Sequence, residues 1–221
     1  RFTTPGEFAA FIHTDMADII SPSPEVFFHW GDGTIQSKPI KGTRPRGQTT
    51  DADNILTTAL RQSEKDRAEN LMIVDLMRND LSKICEPGSV AVNPLFAVEK
   101  TTVVQHLVST VWGKTLPGVH KGDIIKATFP PGSMTGAPKH SVLQHIQQLE
   151  PQDRGIYSGV IGYSHGPNHL VLSVVIRTLV RHSKGIEYQV GGAITIDSDP
   201  EAEYEETLVK ASGIRKALGD I

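Results

Sequence analysis

The last third of the chain contains three strand-like runs in close succession, and this pattern restricts the fold more than any other feature. The runs cover residues 156–163, 169–180 and 186–196, and short turn sequences at 165–168 and 182–185 separate them. Strands joined by connections this short pair antiparallel, because parallel neighbours need a crossover of a dozen residues or more. The sequence therefore predicts an antiparallel meander and argues against a parallel, doubly wound sheet.

A second antiparallel signal lies near the N-terminus. Residues 26–30 and 34–37 form two short strand-like runs around the tripeptide Gly31-Asp32-Gly33. Such a glycine-containing turn between two strand-like runs is typical of a β-hairpin. The hairpin would deliver the chain to the segment that begins at Pro39.

Helix-like patterns occupy much of the remaining chain. Apolar residues recur with helical spacing over residues 6–19, and a serine-proline sequence at 21–24 ends that pattern. Residues 51–85 are predicted to be mostly helical, and further helices are predicted to begin at Lys139 and Pro200. Together these patterns predict an α+β fold in which antiparallel sheets carry helices on their outside.

The composition excludes several classes of protein. A net charge of -3 with scattered basic residues argues against a nucleic-acid partner. The longest apolar run, residues 170–180, is too short to cross a bilayer, so no membrane partner is expected. The single cysteine, Cys85, allows no intramolecular disulfide and fits the cytoplasm. Because residue 1 is an arginine, we expect the chain to begin inside a larger protein.

The pentapeptide Pro39-Ile40-Lys41-Gly42-Thr43 is the strongest chemical signal. Pro39 restricts the backbone, and Gly42 permits the close approach of a ligand. A lysine held on such a defined segment can act as a nucleophile. Taken alone, however, a lysine between proline and glycine is more often a solvated turn residue.

The start of the last predicted helix is rich in carboxylates. Carboxylates near a helix N-terminus interact favourably with the helix dipole, so a purely structural explanation is available. Glu206 and Lys210 also form an ordinary i,i+4 pair. However, Glu203, Glu206 and Lys210 share one helical face, which would suit a hard divalent cation beside an anionic substrate. The acidic residues are Asp197, Asp199, Glu201, Glu203, Glu205 and Glu206.

Glu69 is a candidate for the further carboxylate that such a cation site needs. It precedes the apolar run 71–74, although a solvated position on a helix is the commoner explanation for a glutamate. A group of polar residues follows that run. We expect this group to form ion pairs and helix-end hydrogen bonds rather than to contact a substrate. Its members are Asp75, Arg78, Asn79 and Asp80.

Two glycine-containing segments could bind a small anion. Residues 132–139 lack the Gly-Lys-Ser/Thr ending of a nucleotide triphosphate loop but can offer backbone N–H groups to a carboxylate. Gly191-Gly192 could do the same, although paired glycines at a strand bulge are the commoner explanation. Arg177, inside an apolar run, needs either an internal acid or a substrate carboxylate as its partner.

As a set, these motifs resemble the chorismate-using enzymes, a family that includes anthranilate, aminodeoxychorismate, isochorismate and salicylate synthases. The resemblance implies that residues 1–221 form one catalytic domain of the chorismate-binding fold, with antiparallel sheets in a sandwich and helices outside. It also implies that the N-terminal strands of that fold are absent. The matching segments are residues 23–25, 39–43, 68–85, 132–139, 159–163, 175–177 and 203–210.

Within this family, anthranilate synthases typically have alanine after Pro-Ile, whereas many aminodeoxychorismate synthases have lysine. Lys41 therefore resembles the second branch, which makes 4-amino-4-deoxychorismate on the route to 4-aminobenzoate and folate. The resemblance implies that Lys41 attacks C2 of chorismate while Glu25 protonates the leaving C4 hydroxyl, and that ammonia then attacks C4. Arg44 is an expected source of the positive charge that would keep Lys41 neutral. Anthranilate formation and a non-catalytic chorismate-binding module remain open as alternatives.

The resemblance also implies a metal, substrate contacts and a partner. Glu69 and Glu206 match Mg²⁺ ligands, with Glu203 as a near neighbour. Ammonia would come from glutamine through an amidotransferase subunit or fused domain, because Cys85 has no nucleophile setting. His106 could equally be structural. The expected substrate contacts are Thr43, His106, Ser133, Tyr163, Arg177, Gly191, Gly192 and Lys210.

Overall fold

The computed structural model describes residues 8–196 and 198–219. Within these residues the chain forms thirteen β-strands and six α-helices. In chain order they are β1 (Phe8–His13), β2 (Ala17–Ser23), β3 (Val26–Gly31), β4 (Thr34–Ser37), β5 (Ile40–Pro45), α1 (Thr50–Gln62), α2 (Glu64–Ser82), β6 (Ala91–Val92), β7 (Ala97–Lys100), β8 (Val104–Val108), β9 (Val111–Lys114), α3 (Lys121–Thr128), α4 (Gly132–Thr135), α5 (Lys139–Leu149), β10 (Val160–Tyr163), β11 (Leu170–Val174), β12 (Leu179–His182), β13 (Gly185–Tyr188) and α6 (Pro200–Ala217).

The chain divides into two compact units, each built from segments that are distant in sequence. Of the described residues, the smaller unit contains residues 8–25, 152–161, 173–196 and 198–219. The larger unit contains residues 26–151 and 162–172. The single catalytic domain expected over residues 1–221 stays a prediction.

The smaller unit is built on a four-stranded antiparallel sheet with the order β1-β2-β12-β13. Its helix is α6, which begins where Pro200 was expected to open a helix. Asp199 caps this helix, because its Oδ1 accepts a hydrogen bond from the Ala202 backbone N–H at 2.8 Å. Ala211 and Ile214 are buried on α6, in agreement with the predicted apolar side.

The helix predicted over residues 6–19 is wrong; its first two residues lie outside the described residues, and the remainder is the hairpin of β1 and β2. Phe11 and Met16 are 66% and 86% exposed, so the apolar residues with helical spacing do not form a buried stripe. Thr14 closes the turn, since its Oγ1 donates to the Ala17 carbonyl and accepts from the Ala17 N–H. Pairing of β2 with both neighbours overrides the helical pattern.

The larger unit contains two antiparallel sheets and helices α1 to α5. Its six-stranded sheet has the order β10-β11-β3-β4-β9-β6, with β10 and β11 contributing their residues between 162 and 172. Its three-stranded sheet has the order β5-β8-β7. The predicted hairpin of β3 and β4 is confirmed, and Asp32 and Gly33 turn the chain with φ of 51° and 72°. The buried apolar side chains of this unit include Phe28, Trp30, Ile35, Leu60, Ile73, Leu107, Val111 and Ile124.

The long helical stretch predicted over residues 51–85 consists of two helices, α1 and α2. Ser63 separates them because its backbone is extended, with φ -64° and ψ 108°. The Ser63 side chain then caps α2 by accepting a hydrogen bond from the Asp66 N–H at 3.3 Å. Thr49 caps α1 in the same way through the Ala52 N–H at 3.2 Å.

The antiparallel meander predicted for the last third of the chain is only partly correct. β10 and β11 are neighbours, and so are β12 and β13, but the two pairs belong to different sheets. The run 169–180 contains two strands, β11 and β12, which join different sheets. The break lies at Arg177, whose φ of 54° is in the left-handed region and cannot continue a strand. The third run forms only β13, and residues 189–195 have no regular strand structure.

The predicted fold class, α+β with antiparallel sheets and helices packed against them, is confirmed at this level. Every strand pair with a described register is antiparallel. Among the described residues, no helix is both long enough and apolar enough to cross a membrane.

Candidate functional site

Lys41 lies in β5, on a segment whose geometry depends on a glycine. The strand pairs with β8, and the register shifts between Lys41 and Thr43, which face Leu107 and His106. Gly42 is the extra residue of this β-bulge and has a φ of 79°. A Cβ atom at Gly42 would lie 2.8 Å from the Asp66 Cγ, so a larger residue does not fit. The motif therefore requires glycine at position 42 for a steric reason.

A buried network holds the start of this motif in place. The Pro39 carbonyl accepts hydrogen bonds from the Asn70 side chain and from the Ser109 backbone N–H, both at 3.3 Å. The Ser109 hydroxyl in turn donates to the Asn70 Oδ1 at 2.5 Å. Asn70 and Ser109 are fully buried. Sequence reasoning missed both residues, although an asparagine directly before the apolar run 71–74 was a usable signal.

The Lys41 side chain is half-buried, and its amine makes no hydrogen bond or ion pair with any described residue. Arg44 was expected to supply positive charge near this amine. Instead, the Arg44 Nη2 donates to the Asp66 Oδ2 at 2.8 Å, so a carboxylate offsets that charge. The lysine is therefore available for chemistry, but Arg44 is not a free cation.

Four more of the predicted residues lie in the larger unit. Thr43 and His106 are brought together, with 2.9 Å between the Thr43 Oγ1 and the His106 Nδ1, and His106 is buried. Glu69 is half-buried on α2. Ser133 is half-buried in α4, and Tyr163 is 62% exposed at the end of β10.

Glu25 lies in the smaller unit, two residues beyond β2, and is buried. Its backbone is fixed from two sides. The Ser23 Oγ accepts from the Glu25 N–H at 3.3 Å, and the Glu25 carbonyl accepts from the Val174 N–H at 3.0 Å. A buried carboxyl group on a fixed backbone suits a residue that must hold and then donate a proton.

Arg177 is not in a strand, contrary to the sequence prediction. It lies between β11 and β12 with a left-handed backbone, a conformation that non-glycine residues adopt only when the surroundings require it. Burial lowers the pKa of Arg177 from its usual value, although a guanidinium remains charged at neutral pH. Its guanidinium bonds to no described residue. A half-buried guanidinium with no partner among the described residues can pair with a carboxylate.

The predicted residues of α6 and the paired glycines come together in the smaller unit. The Lys210 Nζ donates to the Gly191 carbonyl at 3.0 Å and pairs with the Glu206 Oε1 at 2.7 Å. Glu203 is buried and accepts from the Ser198 hydroxyl at 2.8 Å. A Cβ at Gly192 would lie 3.4 Å from the Glu203 Oε2. The ordinary i,i+4 pair of Glu206 and Lys210 is thus present, and the use of this helical face for a cation stays a prediction.

Three residues of the polar group after the apolar run, Asp75, Arg78 and Asp80, form the predicted ion pairs. Asp80 is buried and binds the Lys83 and Lys139 amines at 2.8 and 2.6 Å. Arg78 pairs with Asp75 at 3.0 Å on the surface. Cys85 is also buried, and burial together with Glu86 raises the pKa of its thiol to about 11. The thiol is therefore neutral at pH 7 and is no nucleophile.

The residues expected to bind magnesium supply only carboxylate oxygens, which are the ligands that this ion prefers. Glu203 and Glu206 lie one helical turn apart on α6. The described part of the chain has no group of three or more His, Cys, Asp or Glu side chains placed to hold a metal ion. Any magnesium would therefore take most of its ligands from water and substrate. Asp197, another of the acidic residues, lies outside the described residues.

Among the described residues, Lys41 and Arg177 have no side-chain partner, and the first turn of α6 carries Glu201 and Glu203. Residues 1–216 match the chorismate binding enzyme family, and the chain belongs to that family. This finding confirms the resemblance that the motifs indicated.

Relatives with named activities fall into two branches. An aminodeoxychorismate synthase from Streptomyces griseus is 48% identical over 219 residues, which are 99% of this chain and 30% of that protein. Anthranilate synthase component 1 from Aquifex aeolicus is 40% identical over 218 residues, which are 99% of this chain and 44% of that protein. The crystal structure of anthranilate synthase component I from Streptococcus pneumoniae matches with a TM-score of 0.87 and 36% identity, covering 96% of this chain and 47% of that one. The chain thus spans less than half the length of each.

Proposed function

We propose that this chain carries the chorismate-aminating activity of an aminodeoxychorismate synthase, in which chorismate and ammonia give 4-amino-4-deoxychorismate and water. The observation that carries the proposal is Lys41, whose amine lies beside a glycine bulge and has no partner among the described residues. A lysine held in an ion pair is a poor nucleophile, whereas an unpaired, half-buried lysine can attack carbon. The identity to the Streptomyces griseus enzyme supports the same branch.

The proposed chemistry has two substitutions. The Lys41 nitrogen bonds to C2 of the chorismate ring, both ring double bonds shift, and the C4 hydroxyl leaves as water after Glu25 donates a proton. Ammonia then attacks C4, both double bonds shift back, and the C2–nitrogen bond breaks to release the lysine. Covalent catalysis of this kind replaces one difficult step with two easier ones.

The two carboxylates of chorismate need cationic and N–H partners. We assign Arg177 to one of them, because its half-buried guanidinium has no described protein partner and its charge would be neutralised by a carboxylate. Lys210 and the backbone of Gly191-Gly192, which meet in the smaller unit, would contact the same substrate. The further contacts that we propose are Thr43, His106, Ser133 and Tyr163.

We further propose that Glu69 and Glu206 bind a magnesium ion and that Glu203 is its near neighbour, in contact with it through water. Their oxygen donors fit this hard cation, which keeps several waters and binds few protein carboxylates. When bound, the ion would offset the negative charge of a substrate carboxylate. Glu206 would bind the ion through one carboxylate oxygen and keep its pair with Lys210 through the other, while the Lys210 amine also keeps the Gly191 carbonyl.

The ammonia is proposed to come from glutamine through a separate amidotransferase subunit or a fused domain in the cytoplasm. The buried, neutral thiol of Cys85 supports this assignment, because glutamine hydrolysis by cysteine needs an accessible thiolate. An ammonium salt would replace glutamine in a purified system.

The test is the identity of the product. The 221-residue chain, and the longest gene product that contains it, are incubated with chorismate, Mg²⁺ and an ammonium salt, and the products are identified by mass spectrometry. We expect 4-amino-4-deoxychorismate. Lys41→Ala should lower its rate of formation on the order of 10⁴-fold, because the nucleophile is lost.

Lys38 provides the matched control. It lies three residues from Lys41 but pairs with Glu99 at 2.8 Å on the surface, so Lys38→Ala should keep the wild-type rate. If Lys41→Ala forms 4-amino-4-deoxychorismate as fast as the wild type, the nucleophile assignment is wrong.

Anthranilate formation is the second candidate function, and the 40% identity to the Aquifex aeolicus anthranilate synthase component favours it. In that reaction ammonia enters at C2 and pyruvate leaves, so Lys41 would have no covalent role. Pyruvate and anthranilate fluorescence in the same assay would select this function.

A further inference from the structure

A pair of histidines in the larger unit has no part in the proposed amination. His29 lies in β3, His169 immediately precedes β11, and these two strands are neighbours in the six-stranded sheet. Their Nε2 atoms are 3.2 Å apart. The ring centroids are 5.1 Å apart, and the ring planes are inclined by 68°. The two imidazoles therefore converge on each other through their Nε2 atoms.

We propose that His29 and His169 form a binding site for one late transition-metal ion of the zinc type, separate from the proposed magnesium site. Two imidazoles that bind a tetrahedral zinc ion at about 2.0–2.1 Å hold their nitrogens about 3.3 Å apart. The observed separation of 3.2 Å between the two Nε2 atoms is close to this distance. Water would fill the two remaining positions of the ion.

The surroundings of His169 leave only one of its nitrogens for a ligand. Its Nδ1 is buried and has no hydrogen-bond partner among the described residues. An ion can therefore reach this ring only through Nε2, the atom that faces His29. His29 itself is exposed, which gives solvent ions access to the pair. Gly31 lies against the His169 ring, 3.2 Å from Cδ2 when a Cβ is added, so a larger residue there would push the ring away.

Because both ligands are imidazole nitrogens, the pair of His29 and His169 would bind some metal ions in preference to others. Zinc, nickel and copper bind imidazole well, whereas magnesium prefers oxygen ligands. Magnesium at the proposed carboxylate site would not compete for the histidines. The alternative to metal binding is a simple N–H···N hydrogen bond between the two rings, which has the same distance.

The experiment is a calorimetric titration of Zn²⁺ into the untagged, metal-stripped protein in excess Mg²⁺. We expect one Zn²⁺ per chain, and His29→Gln and His169→Gln should each weaken that binding about tenfold or more, because each removes one of two protein ligands. His140→Gln is the matched control, since His140 is an exposed histidine on α5, and it should bind Zn²⁺ like the wild type.

Unchanged zinc binding in both variants would overturn the proposal and assign the ion to other surface histidines. Absence of zinc binding by the wild type would leave the pair as a hydrogen bond only, which also overturns it. Electron paramagnetic resonance of Cu²⁺ on the wild-type protein gives an answer that does not depend on folded variants. Hyperfine coupling to two equivalent imidazole nitrogens supports the site, and coupling to one nitrogen contradicts it.

Discussion

Gly42 determines the local geometry around the proposed nucleophile. Its φ of 79° is one that glycine adopts without strain, and the Asp66 side chain fills the space where a Cβ would be. A methyl group at position 42 would therefore destabilise the fold in two ways, through backbone strain and through the close contact with Asp66. The same carboxylate also holds Arg44, so a shift of Asp66 would free a cation near Lys41.

We expect Gly42→Ala to lower the free energy of unfolding by about 1–3 kcal/mol, through backbone strain and the contact with Asp66. Gly33→Ala is the matched control, because Gly33 has a similar φ of 72° but no atom within 4 Å of an added Cβ. Urea unfolding of both variants measures the difference. Equal losses would show that the contact with Asp66 contributes nothing and that backbone strain is the whole effect.

Asp53 of the larger unit is a buried carboxylate with several hydrogen-bond donors around it. It is buried and accepts hydrogen bonds from Arg46 at 2.8 Å, Lys100 at 2.8 Å and the Gly47 backbone N–H at 2.9 Å. These donors, with Arg46 first, hold the pKa of Asp53 far below its usual value. The group connects the end of β5 to α1 and β7.

A lowered pKa in the folded state means that ionised Asp53 stabilises the fold at all pH values above its unfolded pKa of about 3.9. That stabilisation is lost as the pH falls from there through the lower folded value. We expect Asp53→Asn to be less stable than wild type at pH 7, with the difference shrinking below about pH 4. Urea unfolding at a series of pH values measures it.

Asp75→Asn serves as the comparison, because the Asp75–Arg78 pair is exposed and should contribute little at any pH. A stability difference between wild type and Asp53→Asn that stays constant down to pH 2 would contradict the assignment.

At the level of elements, the sequence predicted best where the controlling chemistry is local. The Gly31-Asp32-Gly33 turn and the Pro200 helix start depend on residues within one turn, and both were predicted correctly. The helix over residues 6–19 failed because β2 pairs with β12, more than 150 residues away, and no local pattern records that pairing. The break at Arg177 was missed for a related reason: a left-handed arginine is set by its surroundings.

In the candidate site too, contacts within one helix were predicted, whereas contacts between distant segments were not. Spacing along one helix predicted the Glu206–Lys210 pair, because i,i+4 neighbours meet in any helix. The bulge that sets Lys41 and Thr43 opposite consecutive residues of β8 depends on Asp66 and on strand register, neither of which the pentapeptide contains. The support by Asn70 was missed as well, because its hydrogen bonds join Pro39 and Ser109, which are distant in sequence.

Gly162 lies where β10 and β11 approach each other closely in the larger unit. It lies in β10, and an added Cβ would be 1.8 Å from the Val171 carbonyl oxygen and 2.8 Å from the Leu172 Cα. These are backbone atoms, which cannot turn aside as a side chain can. We expect Gly162→Ala to separate β10 from β11 and to destabilise the fold by about 3 kcal/mol or more.

The measurement is urea unfolding, with Gly122→Ala in α3 as the control. Gly122 has no atom within 4 Å of an added Cβ, and alanine favours a helix, so this variant should be as stable as wild type or slightly more so. A Gly162→Ala protein with wild-type stability would mean that the two strands are not packed this closely.

At the scale of the whole molecule, the composition predicted that no intramolecular disulfide holds the chain together, and the order of the motifs predicted its family. The single cysteine excluded a disulfide framework, and the structure adds that Cys85 lies buried in the larger unit, against Gly113. The division into two units, each assembled from distant segments, was not predicted. Composition and local periodicity carry no information about which distant segments fold together.

The lone cysteine gives a final prediction about where ammonia is made. Reaction with a thiol reagent needs both access and the thiolate form, and burial raises the pKa of Cys85 to about 11, which leaves almost no thiolate at pH 8. We therefore expect dithiobis(nitrobenzoic acid) to label Cys85 only after urea unfolds the chain. We also expect Cys85→Ala to keep the wild-type rate of amination with ammonium and, where an amidotransferase is present, with glutamine. Fast labelling of the folded chain, or loss of the glutamine-dependent rate alone in Cys85→Ala, would instead assign glutamine chemistry to this residue.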